Sequence, residues 1–444
     1  MQPALISSYV LLFAIVTLYR LNCGIFLFFL LLPTYMIRFS IGPIPTTVLE
    51  VMFLIIFTVW FLKKTRIQEK QKHKRLFSFL FSLFKNHKSI TIGSTLFLLA
   101  ATISIFTSVD IRAAAGEWKA FYIEPFLLFL VLTDAFAKKE KDAVYGLQEN
   151  ILLALILSGL ATALLAIYQH FTGWMVPPAF WENRNTFRVT GWYGFPNGVG
   201  LFLAPIVPLA IYLAKQSFGA MKKKSSVFSL QSSVFFLCTL FLLTAPLAIL
   251  FAKSTGAIVG VTAGIVTLLL FSKKTRWPSF AIGIIGLVSL VSLPNLAGLK
   301  DEIFMQDRSG QIRIAMWKEA VQLIKDRPIL GAGLASYDER ITQYHTTVNG
   351  EGVEIFHHPH NLFLTFWLNL GVFGLLGFLI IVVWFFKSIF IIQYSLFTQF
   401  LLSAMVIIIV TGLVDSPYIK NDLAIFFWLL QALLISIREK KKGS

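Results

Sequence analysis

His360 and Asn361 stand where a polar stretch meets an apolar one, in the run from His357 to Gly371, and nine residues separate Asn361 from Gly371-Val-Phe-Gly374. An imidazole titrates near neutral pH, and at a membrane boundary it can exchange protons with a reacting group at the bilayer surface. Cationic side chains form a second set. Arg188 lies in Phe187-Arg-Val-Thr-Gly-Trp-Tyr-Gly-Phe-Pro-Asn197, directly ahead of an apolar stretch. Pro196 and Asn197 suit the start of that helix, and a helix N-terminus beside an arginine is a good anion site. Lys253 sits in a short hairpin, Phe251-Ala-Lys-Ser-Thr-Gly-Ala257. Arg308 and Arg313 flank the first turn of an expected loop helix, and Arg184 lies in a loop upstream. Guanidinium groups hold phosphate in a bidentate way and stay charged near apolar surface.

Each of these groups also has a structural reading. Arginines at a membrane boundary snorkel to headgroups. His360, between Pro359 and Asn361, suits a helix start. His357 and His358 raise the possibility of a metal, because imidazole is a common ligand. Three histidines within four residues do not point one way from a single helix, and Glu351 and Glu354 show no metal-ligand spacing. No metal and no cofactor is expected. Trp118, Trp174 and Trp192 read first as an aromatic belt.

The elements that must position these groups are membrane spans. Hydrophobic residues make up 57% of the chain and the mean hydropathy is +0.75, which excludes an ordinary soluble enzyme. Crossing the hydrocarbon core takes about 20 apolar residues. Such stretches fall at 3–19, 22–37, 46–62, 90–107, 120–136, 150–168, 195–214, 228–250, 257–272, 278–296, 361–386, 396–414 and 422–437. The expected fold is therefore all-α and polytopic, with twelve or thirteen spans depending on the closely spaced first pair. The first stretch has neither a charged leader nor a small-residue cleavage site, so it is expected to be retained.

Basic residues orient the spans. The clusters at 63–88, Lys138 to Lys141, Lys222 to Lys224, Lys273 to Arg276 and Arg438 to Lys442 all fall on one side. That side is expected to be cytoplasmic and to include the C-terminus. The net charge of +17 then reflects topology and contact with anionic lipid, and no nucleic-acid motif accompanies it. Cys23 and Cys238 lie in apolar stretches and offer no disulfide framework.

The chain reads as a single membrane domain over 1–444, with unusual loops on the outer side at 169–194 and 297–359. Within the second loop, Ser309 to Lys325 has helical periodicity. Ser309 is its expected N-cap, and Ile312, Ala315, Met316, Ala320, Leu323 and Ile324 form its apolar stripe. Pro328 and Gly331-Ala-Gly333 stop it. Leu76 to Phe84 could lie along the inner interface as an amphipathic helix.

Four blocks in order resemble the O-antigen ligase and polymerase family of membrane glycosyltransferases. They are Arg188 to Asn197, Lys253 to Ala257, Ser309-Gly-Gln-Ile-Arg313 through Trp317 to Gly333, and His360-Asn361 with Gly371-Val-Phe-Gly374. The resemblance covers about 180–375, and Ile44 to Glu50 adds a short upstream likeness. It implies a metal-independent transferase in a bacterial plasma membrane, acting at the outer leaflet on a glycan carried by a polyprenyl diphosphate. The acceptor would be a hydroxyl on lipid, glycan or protein. By the same likeness His360 would be the general base, and Arg188 and Arg313 would hold the diphosphate. Arg184, Asn197, Lys253, Arg308 and Asn361 are further substrate-binding candidates. The second block departs from the pattern. Relatives often read Ser-Arg-Gly, where this chain has Ser254-Thr255-Gly256 with Lys253 just before.

The chemistry agrees with that implication. Loss of a lipid diphosphate leaves charge that fixed arginines can stabilise, and the attacking hydroxyl must lose a proton. A single displacement inverts the anomeric carbon. A flippase for lipid-linked glycans is the rival class. It would place charges or broken helices near the midplane, whereas here the informative residues crowd one face, with Glu124 the main exception. A membrane scaffold is a third reading.

Overall fold

A computed structural model describes residues 3–42, 44–66, 82–137, 146–176, 181, 183, 187–221, 229–271, 274–293, 297–345, 347–348, 351–352, 355–392 and 395–442. Among the described residues, each of the thirteen apolar stretches falls mainly on helical structure. In chain order the helices are α1 (Pro3–Tyr19), α2 (Leu21–Leu30), α3 (Val48–Arg66), α4 (Lys88–Phe106), α5 (Ile111–Glu117), α6 (Glu124–Phe136), α7 (Leu147–Thr172), α8 (Pro196–Leu203) and α9 (Ile206–Met221). There follow α10 (Leu230–Phe251), α11 (Thr255–Phe271), α12 (Arg276–Ser292), α13 (Ala297–Ile303), α14 (Arg308–Asp326), α15 (Tyr337–Ile341), α16 (Leu362–Ile391), α17 (Leu396–Thr411) and α18 (Asn421–Lys442). Among the described residues, strand is confined to two small antiparallel pairs, β1 (Arg38–Ile41) with β2 (Ile44–Thr47) and β3 (Thr347–Val348) with β4 (Glu351–Gly352).

Among the described residues, six helical segments are long and apolar enough to cross a membrane: α4, α7, the joined α8–α9, α10, α16 and α18. Shorter apolar helices accompany them, including α11 and α17. The stretch at 22–37 is not one continuous helix. α2 ends after ten residues, a rise of roughly 15 Å, and a 3₁₀ turn with Pro33 at its start follows. The expected interfacial helix at 76–84 lies mostly outside the described residues.

Packing centres on α18, whose apolar length is almost wholly buried. An aromatic knot joins it to its neighbours. Phe97 of α4 meets Phe366 of α16 edge-on at 5.2 Å, and Phe366 lies 5.1 Å from Tyr418, just ahead of α18. Trp428 then donates its indole N–H to the Tyr418 hydroxyl at 3.0 Å. A buried tyrosine and tryptophan thus satisfy each other's polar atoms within apolar surroundings.

The loop helix α14 lies where its periodicity places it. Its cap differs from expectation: Asp307 accepts from the backbone N–H groups of Ser309 and Gly310, so the helix opens at Arg308 and Ser309 is already inside it. A carboxylate in that position also complements the helix dipole. Met316, Ala320, Leu323 and Ile324 are buried, whereas Ile312 and Ala315 stay half-buried.

After α14 the chain locks onto α16. Gly371 breaks that helix with φ 70° and ψ −175°, a conformation suited to glycine. The N–H of Val372 donates to Ile329 O at 3.1 Å, and Ala332 N–H donates to Leu368 O at 2.5 Å. A Cβ on Gly371 would collide with the Ile329 carbonyl oxygen. Gly331 of the third sequence block and Gly371 of the fourth therefore belong to one joint.

Candidate functional site

The site is assembled at the end of the bundle where α8, α11, α14 and α16 begin. Pro196 starts α8 and puts Asn197 in its first turn. Asn361 is the N-cap of α16: its side-chain oxygen accepts from Phe363 and Leu364 N–H, and its amide donates to Leu413 O at 2.9 Å. Its polar atoms are thus occupied in holding the helix start. His360, one residue earlier, has φ 46°, a left-handed backbone rarely adopted outside glycine. Lys253 shares this feature, with φ 48°. Unfavourable backbone conformations of this kind gather at functional sites.

Asp415 is the hub. Its Oδ1 lies 3.3 Å from His360 Nδ1, and its Oδ2 accepts from the Asn197 amide at 2.8 Å. Asn197 Oδ1 in turn accepts from an Arg188 terminal nitrogen at 2.9 Å. Arg188 also donates to the carbonyls of Ala252 and Lys253, at 2.8 and 2.9 Å. A chain of polar contacts thus runs from His360 through Asp415 and Asn197 to Arg188. Its links from Asp415 to His360 and to Asn197 span 55 and 218 residues of sequence.

Arg188 and Arg313 line the same cavity of about 210 Å³, together with Lys253, Ser254, Thr255 and Asp415. Arg313 donates to Ser309 Oγ at 3.2 Å, but its Nε is buried with no hydrogen-bond partner among the described residues. The Arg188 guanidinium pKa is lowered to about 10, first by burial and then by Arg313, while Asp415 and Glu302 oppose the shift. Glu302 and Asp307 line the cavity too, but Glu302 accepts from the Thr255 hydroxyl at 2.9 Å and Asp307 caps α14. Two guanidiniums facing one small space favour an anion between them.

His360 does not line this cavity; it reaches it through Asp415. Against an ionised Asp415, Nδ1 is the ring nitrogen that carries hydrogen, which leaves Nε2 as acceptor. Burial would raise the Asp415 carboxyl, but the charge and hydrogen bond of His360 outweigh this and hold it well below the usual carboxylate range. His358 accepts from His360 N–H through Nδ1 at 3.2 Å, and its pKa is pushed down to about 3 by burial and then by His360. It is therefore a neutral acceptor that supports the loop.

The three histidines lie in a loop, not on a helix, and the His358 and His360 rings come within 4.7 Å. One ligand atom each from His358, His360 and Asp415 lie within 4.8 Å of one another, a grouping a metal could occupy. The hydrogen bond from His360 N–H uses the Nδ1 lone pair of His358, so that ring would have to bind through Nε2.

The remaining candidates are placed less centrally. Arg308 opens α14 but is not among the residues lining the cavity. Arg184 lies outside the described residues. Asp415 and Glu302 were not anticipated from sequence. The available signal for Asp415 was a lone acid between the apolar stretches at 396–414 and 422–437, on the same expected face as His360.

Fold and site together define a multi-pass, all-α membrane protein that gathers cations and a His–Asp pair at one end. Residues 239–379 match the family model described as O-antigen ligase, so this stretch of the chain is similar to that family of membrane proteins. The matched stretch includes Lys253, Arg313, His360 and Gly371, while Arg188, Asn197 and Asp415 fall outside it. A search of curated proteins finds no match.

Proposed function

We propose that the protein transfers a glycan from a polyprenyl diphosphate to an acceptor hydroxyl at the outer face of a bacterial plasma membrane. The observation that carries this reading is the shared cavity of Arg188 and Arg313, with the buried Nε of Arg313 unpartnered among the described residues, joined to His360 through Asp415 and Asn197.

In the proposed step the acceptor oxygen attacks the anomeric carbon as its proton passes to Nε2 of His360. The bond from that carbon to the diphosphate oxygen breaks, and the electron pair leaves with the diphosphate. Arg188 and Arg313 stabilise the growing negative charge, and Lys253 adds a third cation at the cavity. Asp415 orients the imidazole and stabilises it once protonated. Attack opposite the leaving group inverts the anomeric configuration. Arg184, Arg308 and Asn361 are assigned outer roles, in donor contact for the arginines and in shaping the start of α16 for Asn361.

Purified protein supplied with a polyprenyl-diphosphate glycan and candidate hydroxyl acceptors, with and without chelator, tests this. Transfer that survives chelation and fails in folded His360→Ala and Arg313→Ala proteins is the expected result. Unchanged transfer by His360→Ala removes the base assignment. Movement of the lipid across vesicles without transfer to any acceptor would make the protein a flippase.

A further inference from the structure

α4 and α16 cross closely midway along their lengths. A side chain on Gly377 would stand 2.6 Å from the backbone nitrogen of Phe97, so the crossing depends on glycine there. From there toward the end of the bundle opposite His360 opens a second cavity, of about 580 Å³. Lys85, Lys88, Lys387 and Arg438 line it, and its described lining contains no carboxylate. Arg438 is oriented by donating to Ser388 Oγ at 3.1 Å, and Lys88 and Lys387 are exposed. Ile380 and Val383 of α16 form its apolar wall, and Val383 is 49% exposed.

A cationic rim above an exposed apolar helix face matches a molecule with a phosphate at one end and hydrocarbon at the other. A free anion would use only the rim. The position also agrees with the side of the chain that carries most of the Lys and Arg. Basic pockets between helices at that side recognise anionic headgroups.

We propose that this cavity binds the phosphate of an anionic phospholipid of the inner leaflet, with its acyl chains along α16. The inference rests on membrane orientation and not on the transfer reaction. Lys88 and Lys387 bring charge from α4 and α16, and Arg438 from α18, so a lipid here would tie three helices together.

Full-length protein in detergent, examined by native mass spectrometry with added phosphatidylglycerol, phosphatidylcholine or inorganic phosphate, tests it. Phosphatidylglycerol should be retained in preference to phosphatidylcholine. A Lys88→Gln, Lys387→Gln double variant should lose roughly 10- to 30-fold of that retention. Lys318→Gln, an exposed change on α14, should retain the lipid as the parent does. Equal retention of phosphatidylcholine, or undiminished retention by the double variant, would overturn the proposal. Displacement of the lipid by an equal concentration of inorganic phosphate would identify a free-anion site instead. A thermal melt of the double variant matching the parent's confirms that its loss is local; loss only on unfolding counts against the site.

Discussion

Asp415 sets one carboxylate oxygen 3.3 Å from the Nδ1 of His360. The other oxygen accepts from Asn197, so the carboxylate cannot turn away without breaking a second contact. A carboxylate fixed in this manner sets both the ring orientation and the nitrogen that is left to accept a proton.

Asp415→Asn should therefore lower transfer by about 10²-fold or more, within the range a positioned general base supplies. His360→Ala should give a loss of similar size. The double variant should be little worse than either single one, because the two residues act as a unit. Turnover of the three proteins measured at saturating donor checks this, and fully additive losses would show that the residues act separately.

Arg313 is expected to matter for its shape as well as its charge. Arg313→Lys should fail to restore donor use, because a lysine cannot present a planar pair of donors to a phosphate. Arg188→Ala should in addition lower stability, since it removes the donor to the Ala252 and Lys253 carbonyls. Donor titrations paired with thermal melts separate the two effects: Arg313→Lys should raise the apparent KM for the donor with its melt unchanged.

The joint between Ile329 and Gly371 should tolerate no side chain. Gly371→Ala meets the strain of positive φ, about 1–3 kcal/mol, together with the collision at the Ile329 carbonyl. A clear fall in the melting temperature of the detergent-solubilised protein is expected. An unchanged melt would mean that the two segments separate more readily than their hydrogen bonds indicate.

Acid should loosen the site. The His358 pKa is depressed to about 3, below the ordinary value of 6.5, so the unfolded chain binds the proton more readily. Its contribution to stability is full above about pH 6.5 and is lost as pH falls toward 3. The depressed Asp415 carboxyl acts in the same sense, below its ordinary value of 3.8. Melts between pH 7 and pH 4 should fall for the parent and fall less for His358→Asn.

Much of this architecture was legible because apolar length and helical period are local properties. The described parts of the thirteen apolar stretches are mostly helical, with 22–37 broken after ten residues, and α14 was placed to within one residue at each end. The cap was misplaced because Asp307 and Ser309 are both good capping residues, and only the backbone geometry chooses between them. The hub at Asp415 was not legible. It lies 55 residues from His360 and 218 from Asn197, and no periodicity or spacing encodes contacts of that separation. The break at Gly371 is likewise invisible in hydropathy, because its partner is the backbone of Ile329.

Trp317 of α14 donates its indole N–H to the carbonyl of Pro359, the residue directly before His360, at 2.9 Å. The helix that carries Arg313 and the loop that carries His360 are thereby coupled like the two jaws of a caliper. In the proposed reaction, the gap between the leaving-group end and the base end would be set by this one indole-to-backbone contact between two helix-borne elements. In the proposed reaction, a tilt of α14 on engaging the donor would shift both jaws at once, so the donor's fit between the two arginines would register in the alignment of the imidazole.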